Sequence, residues 1–368
     1  MLGITWREGP EYPMGIQDSA LGVVEGKVVS AGGFTRWPKE IVKTYPDAFG
    51  GAESGFTSLS FSFDPTNEDA GWTRMPDVPG PARQGSIPAV VGDEMYVFGG
   101  FNYTAPHTYR EGYRLRRNQG QWGWERLSCD FPWPIYGAGV AVVGKRIYFV
   151  GGADYFRTSG AKNEDFHSEA GRDGDPVGRA VFMLDTEDLQ AGWRRLADLP
   201  GTPRMTMGCG AIGGRIYVLG GTFGALKPGP YCNVVDSWAY DIAEGTWSQL
   251  EDMPDGANRS AVAFGDRYVI LIGGYKYSIT RHPDGSQGNA YTDAEKAQDW
   301  KAAFQGTVLV YDTKRDELAT ADPLLDETSW PMVAIKVDTA FVLGGEGGRG
   351  LWHPATFQIG KIAEGGDH

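Results

Sequence analysis

The sequence predicts an all-β chain: one six-bladed β-propeller domain spanning residues 1–368, its ring closed by an N-terminal strand that completes the last blade. Three observations carry this prediction. A double glycine closes an apolar run six times, in KVVSAGG, MYVFGG, IYFVGG, IYVLGG, YVILIGG and AFVLGG. Each pair is preceded by another short apolar run and a tight turn, and is followed by a third and usually a fourth run. The intervals between pairs alternate between long and short around the chain. A motif that recurs at intervals of about 50 to 70 residues marks a repeat architecture.

The strands follow in order within each repeat. ALGVVEGK, IPAVVGDE, GVAVVGKR, CGAIGGRI, AVAFGDRY and VAIKVDTA supply the first strand and the turn into the second. SLSFSFD, AVFMLDT, SWAYDI and TVLVYDT supply third strands, and fourth strands form around Trp72, Trp124, Trp193 and Trp247. Short β-branched and aromatic runs bounded by Gly, Asp and Pro read as antiparallel strands, and four per repeat make a propeller blade. The fifth repeat has DELATADPL in place of a tryptophan-bearing fourth strand. After Gly345 only ATFQIGKI remains as a third strand, and ITWREGP with Trp6 supplies the missing fourth. Such closure leaves no open sheet edge.

This pattern resembles the kelch family of β-propellers, in which the glycine pair ends the second strand and a tryptophan marks the fourth. A six-bladed bacterial propeller with long loops after some glycine pairs is similar to the sialic acid mutarotase (N-acetylneuraminate epimerase) group. In that family a glutamate after a glycine-bearing strand end and an arginine six residues later form the reactive pair. The resemblance implies a catalytic role for Glu346, with Arg349 as its partner; the residue six positions beyond Glu346 is Trp352.

Composition excludes several function classes. The net charge of −13 opposes binding to a phosphate backbone, whose affinity comes from lysine and arginine, so neither nucleic acid nor an anionic membrane is an expected partner. No apolar run is long enough to span a bilayer. The N-terminus MLGITWREGP shows no secretory signal, which gives a soluble, cytoplasmic expectation with a removed leader as the alternative. Cys129, Cys209 and Cys232 are odd in number and widely spaced, and read as buried thiols. The histidines at 107, 167, 282, 353 and 368 lie on separate segments without paired ligand spacing, so neither a metal nor a cofactor is expected.

The extra residues of the long repeats fall between the glycine pair and the third strand, giving loops 34–57, 153–179 and 275–306 on one face around the channel mouth. Loops of this length in a compact domain are usually functional, with lineage-specific decoration as the alternative. The first offers Arg36 to a carboxylated or hydroxylated ligand, and the middle one offers His167, Glu169 and Arg172 from FHSEAGRDGDPVGR. In the third, Thr292 and Glu295 have capping-box spacing, so a short helix with Ala297, Trp300 and Phe304 on one face is expected, as strut or lid.

Aligning the repeats on their first turn puts Asp18, Gln84, Tyr136, Met205, Ala257 and Trp330 at equivalent positions facing the channel, with Arg259 nearby. Arg83, Arg204 and Arg259 also match one another, and such repetition argues that at least two are structural. The residues after the six glycine pairs are Phe34, Phe101, Ala153, Thr222, Tyr275 and Glu346, so one repeat alone places a charge there. Glu346 with Arg349 serves either as a proton-transfer group or as a surface ion pair. These features point to a carbohydrate-active or carbohydrate-binding propeller, in concrete form a cofactor-independent mutarotase- or epimerase-like isomerase of a neutral or acidic sugar. The alternative is a non-enzymatic scaffold that binds a protein partner.

Overall fold

The computed structural model describes residues 2–35, 39–49, 55–104, 106–154, 177–223, 232–282, 284, 286–290, 303–347 and 354–364. Among these residues, six sheets have four antiparallel strands each and the same order. The first sheet runs Ala20–Val24, Lys27–Phe34, Phe56–Phe63 and Trp72–Met75, and the pattern repeats through Ser260–Phe264, Tyr268–Ile272, Val308–Asp312 and Glu317–Ala321 in the fifth. DELATADPL is therefore a fourth strand without its tryptophan. The sixth sheet takes three strands from the C-terminal part, Met332–Lys336, Thr339–Leu343 and Phe357–Glu364. Its fourth is Leu2–Glu8, paired from Leu2↔Glu364 to Glu8↔Gln358. The first strand of each sheet touches that of the next, and the first strand of the sixth touches that of the first.

Packing explains why the second strands read as continuous apolar runs rather than alternating ones. Each sheet buries both faces against its neighbours, so all five residues of Tyr268–Ile272 are buried. First strands crowd together at the axis, which selects small residues there. A Cβ on Gly139 would lie 2.6 Å from Met207 Sδ, and one on Gly208 would lie 2.5 Å from a Leu271 methyl. Cys209 belongs to this inner packing, where burial pushes its thiol up to about 12. Cys129 is only half-buried.

Two hydrogen bonds repeat between neighbouring sheets. The N–H of the second glycine of a pair donates to a carbonyl at the entry of the following sheet. Gly33 donates to Arg83 O, Gly100 to Ile135 O, Gly152 to Arg204 O and Gly274 to Thr328 O. Gly345 closes the series by donating to Ile16 O at 3.0 Å. The second bond comes from the outer-strand tryptophans, whose indole N–H donates to the carbonyl just after the preceding sheet's last strand. Trp72 reaches Pro10, Trp124 reaches Pro76, Trp247 reaches Ala197 and Trp6 reaches Asp322, at 3.0–3.1 Å. Trp193 instead packs among Phe98, Phe131 and Phe149.

The recurring arginines are internal. Arg204 is fully buried against Asp236 and donates to Gly220 O at 3.1 Å, while Arg83 donates to Gly99 O at 3.3 Å. Each thus holds the carbonyl of the first glycine of its own sheet's pair.

The loops after the glycine pairs depart in part from the sequence expectation. The first contains a helix, Lys39–Thr44, which its sequence did not announce. The connection in the fourth sheet, counted as short, also builds rim structure: Thr222–Phe223 and Cys232–Val234 join Ile279–Arg281 and Gln287–Asn289 in an additional sheet. Cys232–Val234 pairs in parallel with Ile279–Arg281, a contact between two loops that no repeat alignment reveals. The helix expected after Thr292 lies outside the described residues, except that Phe304, expected on its face, instead forms an antiparallel bridge with Tyr275. No helix among the described residues is long and apolar enough to cross a membrane.

The glycine pairs yield a direct test. Gly344 has φ +53° and its added Cβ would lie 2.1 Å from Ile16 O, whereas Gly120, at φ +81° in the hairpin turn it shares with left-handed Gln119 (φ 49°), has nothing within 4 Å of an added Cβ. Gly120→Ala should cost about 1–2 kcal/mol, the penalty for left-handed backbone alone. Gly344→Ala should cost at least twice as much in urea denaturation; equal losses would show that contact across the seam between sheets six and one contributes nothing.

Candidate functional site

The strand entries that receive the glycine N–H groups also build the cavity wall. The residue after each receiving carbonyl pairs with the residue after its own sheet's glycine pair. These pairs are Gln17↔Phe34, Gln84↔Phe101, Tyr136↔Ala153, Met205↔Thr222 and Ser329↔Glu346, while Asn258 N–H donates to Tyr275 O in the fifth sheet. The sequence alignment therefore places Gln84, Tyr136 and Met205 correctly and slips by one at the other three, where Gln17, Asn258 and Ser329 are the equivalents of Asp18, Ala257 and Trp330. A slip of one residue exchanges neighbours between faces. Ala257 is buried away from the cavity as a result.

Asp18 and Trp330 reach the cavity all the same, by a change of backbone conformation. The residue after the paired position is left-handed in five sheets: Asp18 (φ 51°), Gly85 (67°), Gly137 (65°), Thr206 (49°) and Trp330 (39°). Two glycines adopt this conformation freely; for Asp, Thr and above all Trp it is strained backbone of the kind that clusters at functional sites. Neighbouring turns are bonded, Gly85 N–H to Asp18 O and Thr206 N–H to Gly137 O.

Together these residues enclose a cavity of about 820 Å³. Asp18 and Trp330 also border a smaller space of about 130 Å³ that continues along the axis between the first strands. The cavity brings together Asp18, Gln84, Tyr136, Trp330 and Glu346 of the residues expected from sequence. Arg259 is not among its walls; it is buried and its guanidinium is held by Asp255. Arg36, His167, Glu169, Arg172 and Arg349 lie outside the described residues.

Gln17, Tyr275, Tyr277, Asn258 and Phe304 are cavity residues that the sequence reading did not assign to ligand binding. A signal existed for two of them. Tyr275 directly follows a glycine pair, and Gln17 precedes an aligned position by one. Tyr277 is set by the buried Asn233 of the preceding repeat, whose amide accepts from Tyr277 N at 2.8 Å and donates to Tyr277 O at 2.7 Å. Aromatic contacts fix the walls: Tyr136 packs edge-on to Phe101 at 5.2 Å and to Trp330 at 6.1 Å, and Tyr275 packs against Tyr277 at 4.9 Å and Phe304 at 5.2 Å.

Two carboxylates share this floor. Asp18 Oδ2 accepts from the Gln84 amide at 2.9 Å and from the Gln17 amide at 3.4 Å. Burial, with the nearby charge of Glu346 second, pushes the Asp18 carboxyl up to about 8, against a weaker opposing effect of Gln17. Burial likewise raises Glu346, with Gln17 again opposing. Tyr275 is raised by burial and then by the Glu346 charge. Two nearby carboxyl groups in a low-dielectric site do not ionise together easily, so one holds its proton at a pH where a free carboxyl would have lost it.

Residues 49–163 match the family model described as N-acetylneuraminate epimerase, and residues 203–254 match the Kelch motif. The chain is 27% identical over 292 residues to Kelch-like protein terF of Aspergillus terreus, covering 77% of this chain and 55% of that one. It is 25% identical over 186 residues to an N-acetylneuraminate epimerase of Yersinia enterocolitica, covering 46% and 47%. A Haemophilus influenzae N-acetylneuraminate epimerase is 33% identical over 104 residues, covering 28% and 27%. The chain thus matches about half the length, or less, of these curated relatives. The solved structure of YjhT superposes with a TM-score of 0.66 at 14% identity, covering 97% of this chain and 99% of that one, which shows a common fold. Taken with the sheet topology and the glycine-pair repeats, these likenesses support a kelch-type β-propeller that resembles the N-acetylneuraminate epimerases.

Proposed function

We propose that residues 1–368 form a single six-bladed propeller domain, closed by Leu2–Glu8, whose cavity binds a small carbohydrate and speeds the interconversion of its anomers. The observation that carries this reading is the pair Asp18 and Glu346, two carboxyl groups of raised pKa on the floor of an aromatic-walled cavity of about 820 Å³. A concave apolar site with a few convergent polar groups is the usual form of a small-molecule pocket, and aromatic faces suit the C–H faces of sugar rings. Similarity to two relatives named N-acetylneuraminate epimerases supports the same direction.

Anomerisation needs one acid and one base and no other reagent. The protonated member of the pair gives its proton to the ring oxygen, while the ionised member takes the proton of the anomeric hydroxyl. The bond between the anomeric carbon and the ring oxygen breaks, leaving an open-chain carbonyl. Rotation of that carbonyl and reclosure on its other face form the bond again and return both protons. Gln84 and Gln17 hold Asp18 in place for this exchange. In this reading Arg349, a few positions beyond Glu346, balances its charge, and Arg36, His167, Glu169 and Arg172 contact the ligand from the long loops.

NMR exchange spectroscopy over neutral, amino and acidic sugars should reveal at least one whose anomers interconvert faster with the protein present. Glu346→Gln and Asp18→Asn should each lower that kcat by about 100-fold or more, with smaller changes in KM. An unaccelerated panel would remove the enzyme reading.

The raised carboxyl of Asp18 also sets a stability trend. The folded chain holds this proton up to a pH of about 8, whereas the unfolded chain releases it near the ordinary value of 3.8. Stability from this group is therefore full below pH about 4, falls as pH rises, and levels off above about 8. Asp18→Asn cannot ionise, so its Tm advantage over the parent should grow between pH 4 and 8 and stay constant above. A difference independent of pH would mean that Asp18 ionises normally.

A further inference from the structure

We propose that Trp330 is the partition of the channel: its indole lies across the axis, separates the cavity from the axial space, and keeps water from the axial side of Asp18. The inference rests on the acid–base reading above and deepens it, by naming the positioning residue that maintains the surroundings of one carboxyl group. Among the described residues, Asp18 and Trp330 are the two that border both spaces. Residues from all six sheets border the smaller one, which therefore lies on the axis itself.

The course of the indole follows from its contacts. Trp330 stands two residues before Met332–Lys336 of the sixth sheet, yet its ring packs edge-on to Tyr136 of the third at 6.1 Å. It also packs against the cluster that holds Phe101 of the second sheet and Met205 of the fourth. First strands touch in cyclic order, so the third and sixth sheets stand opposite one another, and a ring that joins them crosses the axis. Its backbone is left-handed at φ 39°, where Gly85 and Gly137 hold the equivalent positions in the second and third sheets without a side chain.

Polar groups below the indole would hold water if it were removed. Ser86 and Ser260 border the axial space at the entries of their first strands. Their hydroxyls donate to Gly99 O and Pro331 O, which leaves the oxygens to accept from water. Asp18 borders the same space, so water admitted in place of the indole would hydrate its carboxylate and favour the ionised form. With the indole present, burial pushes that carboxyl up to about 8. The titratable groups that border the two spaces with Asp18, among the described residues, are Glu346, Tyr103, Tyr136, Tyr275, Tyr277 and Cys209. These are the same in the parent and in a Trp330 variant, as are the loop arginines of the proposed function, so a difference between the two proteins reads the indole.

Carboxyl carbon NMR on aspartate-labelled protein, with Asp18 assigned through Asp18→Asn, tests the partition without any ligand. The midpoint of the Asp18 titration should fall by about one pH unit or more in Trp330→Gly, a variant that suits the left-handed backbone, and by less in Trp330→Phe. Indole added to Trp330→Gly should return the midpoint towards that of the parent. A residue that merely packs would lower Tm in both variants and leave the midpoint in place. That result in folded Trp330→Gly, or in Trp330→Phe where the glycine variant does not fold, overturns the partition. In the anomer-exchange assay, any sugar accelerated by the parent should show the alkaline loss of kcat moved down in pH together with the midpoint. An unaccelerated sugar panel beside a moved midpoint removes the isomerase reading and leaves the partition standing.

Discussion

The site depends on one backbone hydrogen bond across the seam between the sixth sheet and the first, from Gly345 N–H to Ile16 O. The same bond recurs at other sheet boundaries, where Gln84, Tyr136 and Ser329 follow the accepting carbonyls and line the cavity. At the seam it fixes the residues on either side of it: Gln17 and Asp18 follow the accepting carbonyl, and Glu346 follows the donating glycine. Two carboxylates from opposite ends of the sequence are held against one floor because the sixth sheet must dock on the first. The φ values of Gly344 and Gly345, +53° and +102°, permit that docking without a Cβ in the way.

Repetition and exception divide the labour in this chain. Features that recur are structural: the glycine pairs, the outer tryptophans that bond to the previous sheet, and the buried arginines that hold the first glycine's carbonyl. Features that break the repeat gather at the cavity. Phe34, Phe101, Ala153, Thr222 and Tyr275 stand where the sixth repeat has Glu346, and Gly85 and Gly137 stand where the first has Asp18. The left-handed backbone at Asp18 and Trp330 is retained although glycine would relieve it, and at both positions the side chain lines the cavity. Strain at a site that the surrounding fold over-determines is a sign of use.

Much of the architecture was legible because its causes are local. Glycine pairs, apolar runs and turns are written within a few residues of one another, and recurrence averages out the ambiguity of any one run. Candidate residues were legible where strand position alone decides exposure: Gln84 and Tyr136 by repeat alignment, and Glu346 by its charge at a position otherwise uncharged. Arg259, aligned near the channel, lies outside the cavity walls, and Asp255, which holds its guanidinium, has no counterpart beside Arg83 or Arg204. Gln17 was passed over because a one-residue difference at the strand entry is not visible in an apolar pattern, and a left-handed residue puts both Gln17 and Asp18 on the cavity.

The sequence by itself determined the repeat, the four strands of each unit, the residues that pack between units, and the single repeat that places a carboxylate after its glycine pair. These follow from side-chain periodicity and from the steric freedom of glycine. The tertiary structure alone decided that Asp18 and Glu346 share a cavity, that Gln17 lies between them, and that Asn233 of one repeat fixes Tyr277 of the next. Those facts depend on contacts between residues far apart in the chain, whose register is set by the docking of the sixth sheet on the first and by loop-to-loop pairing, and neither leaves a local trace in the sequence.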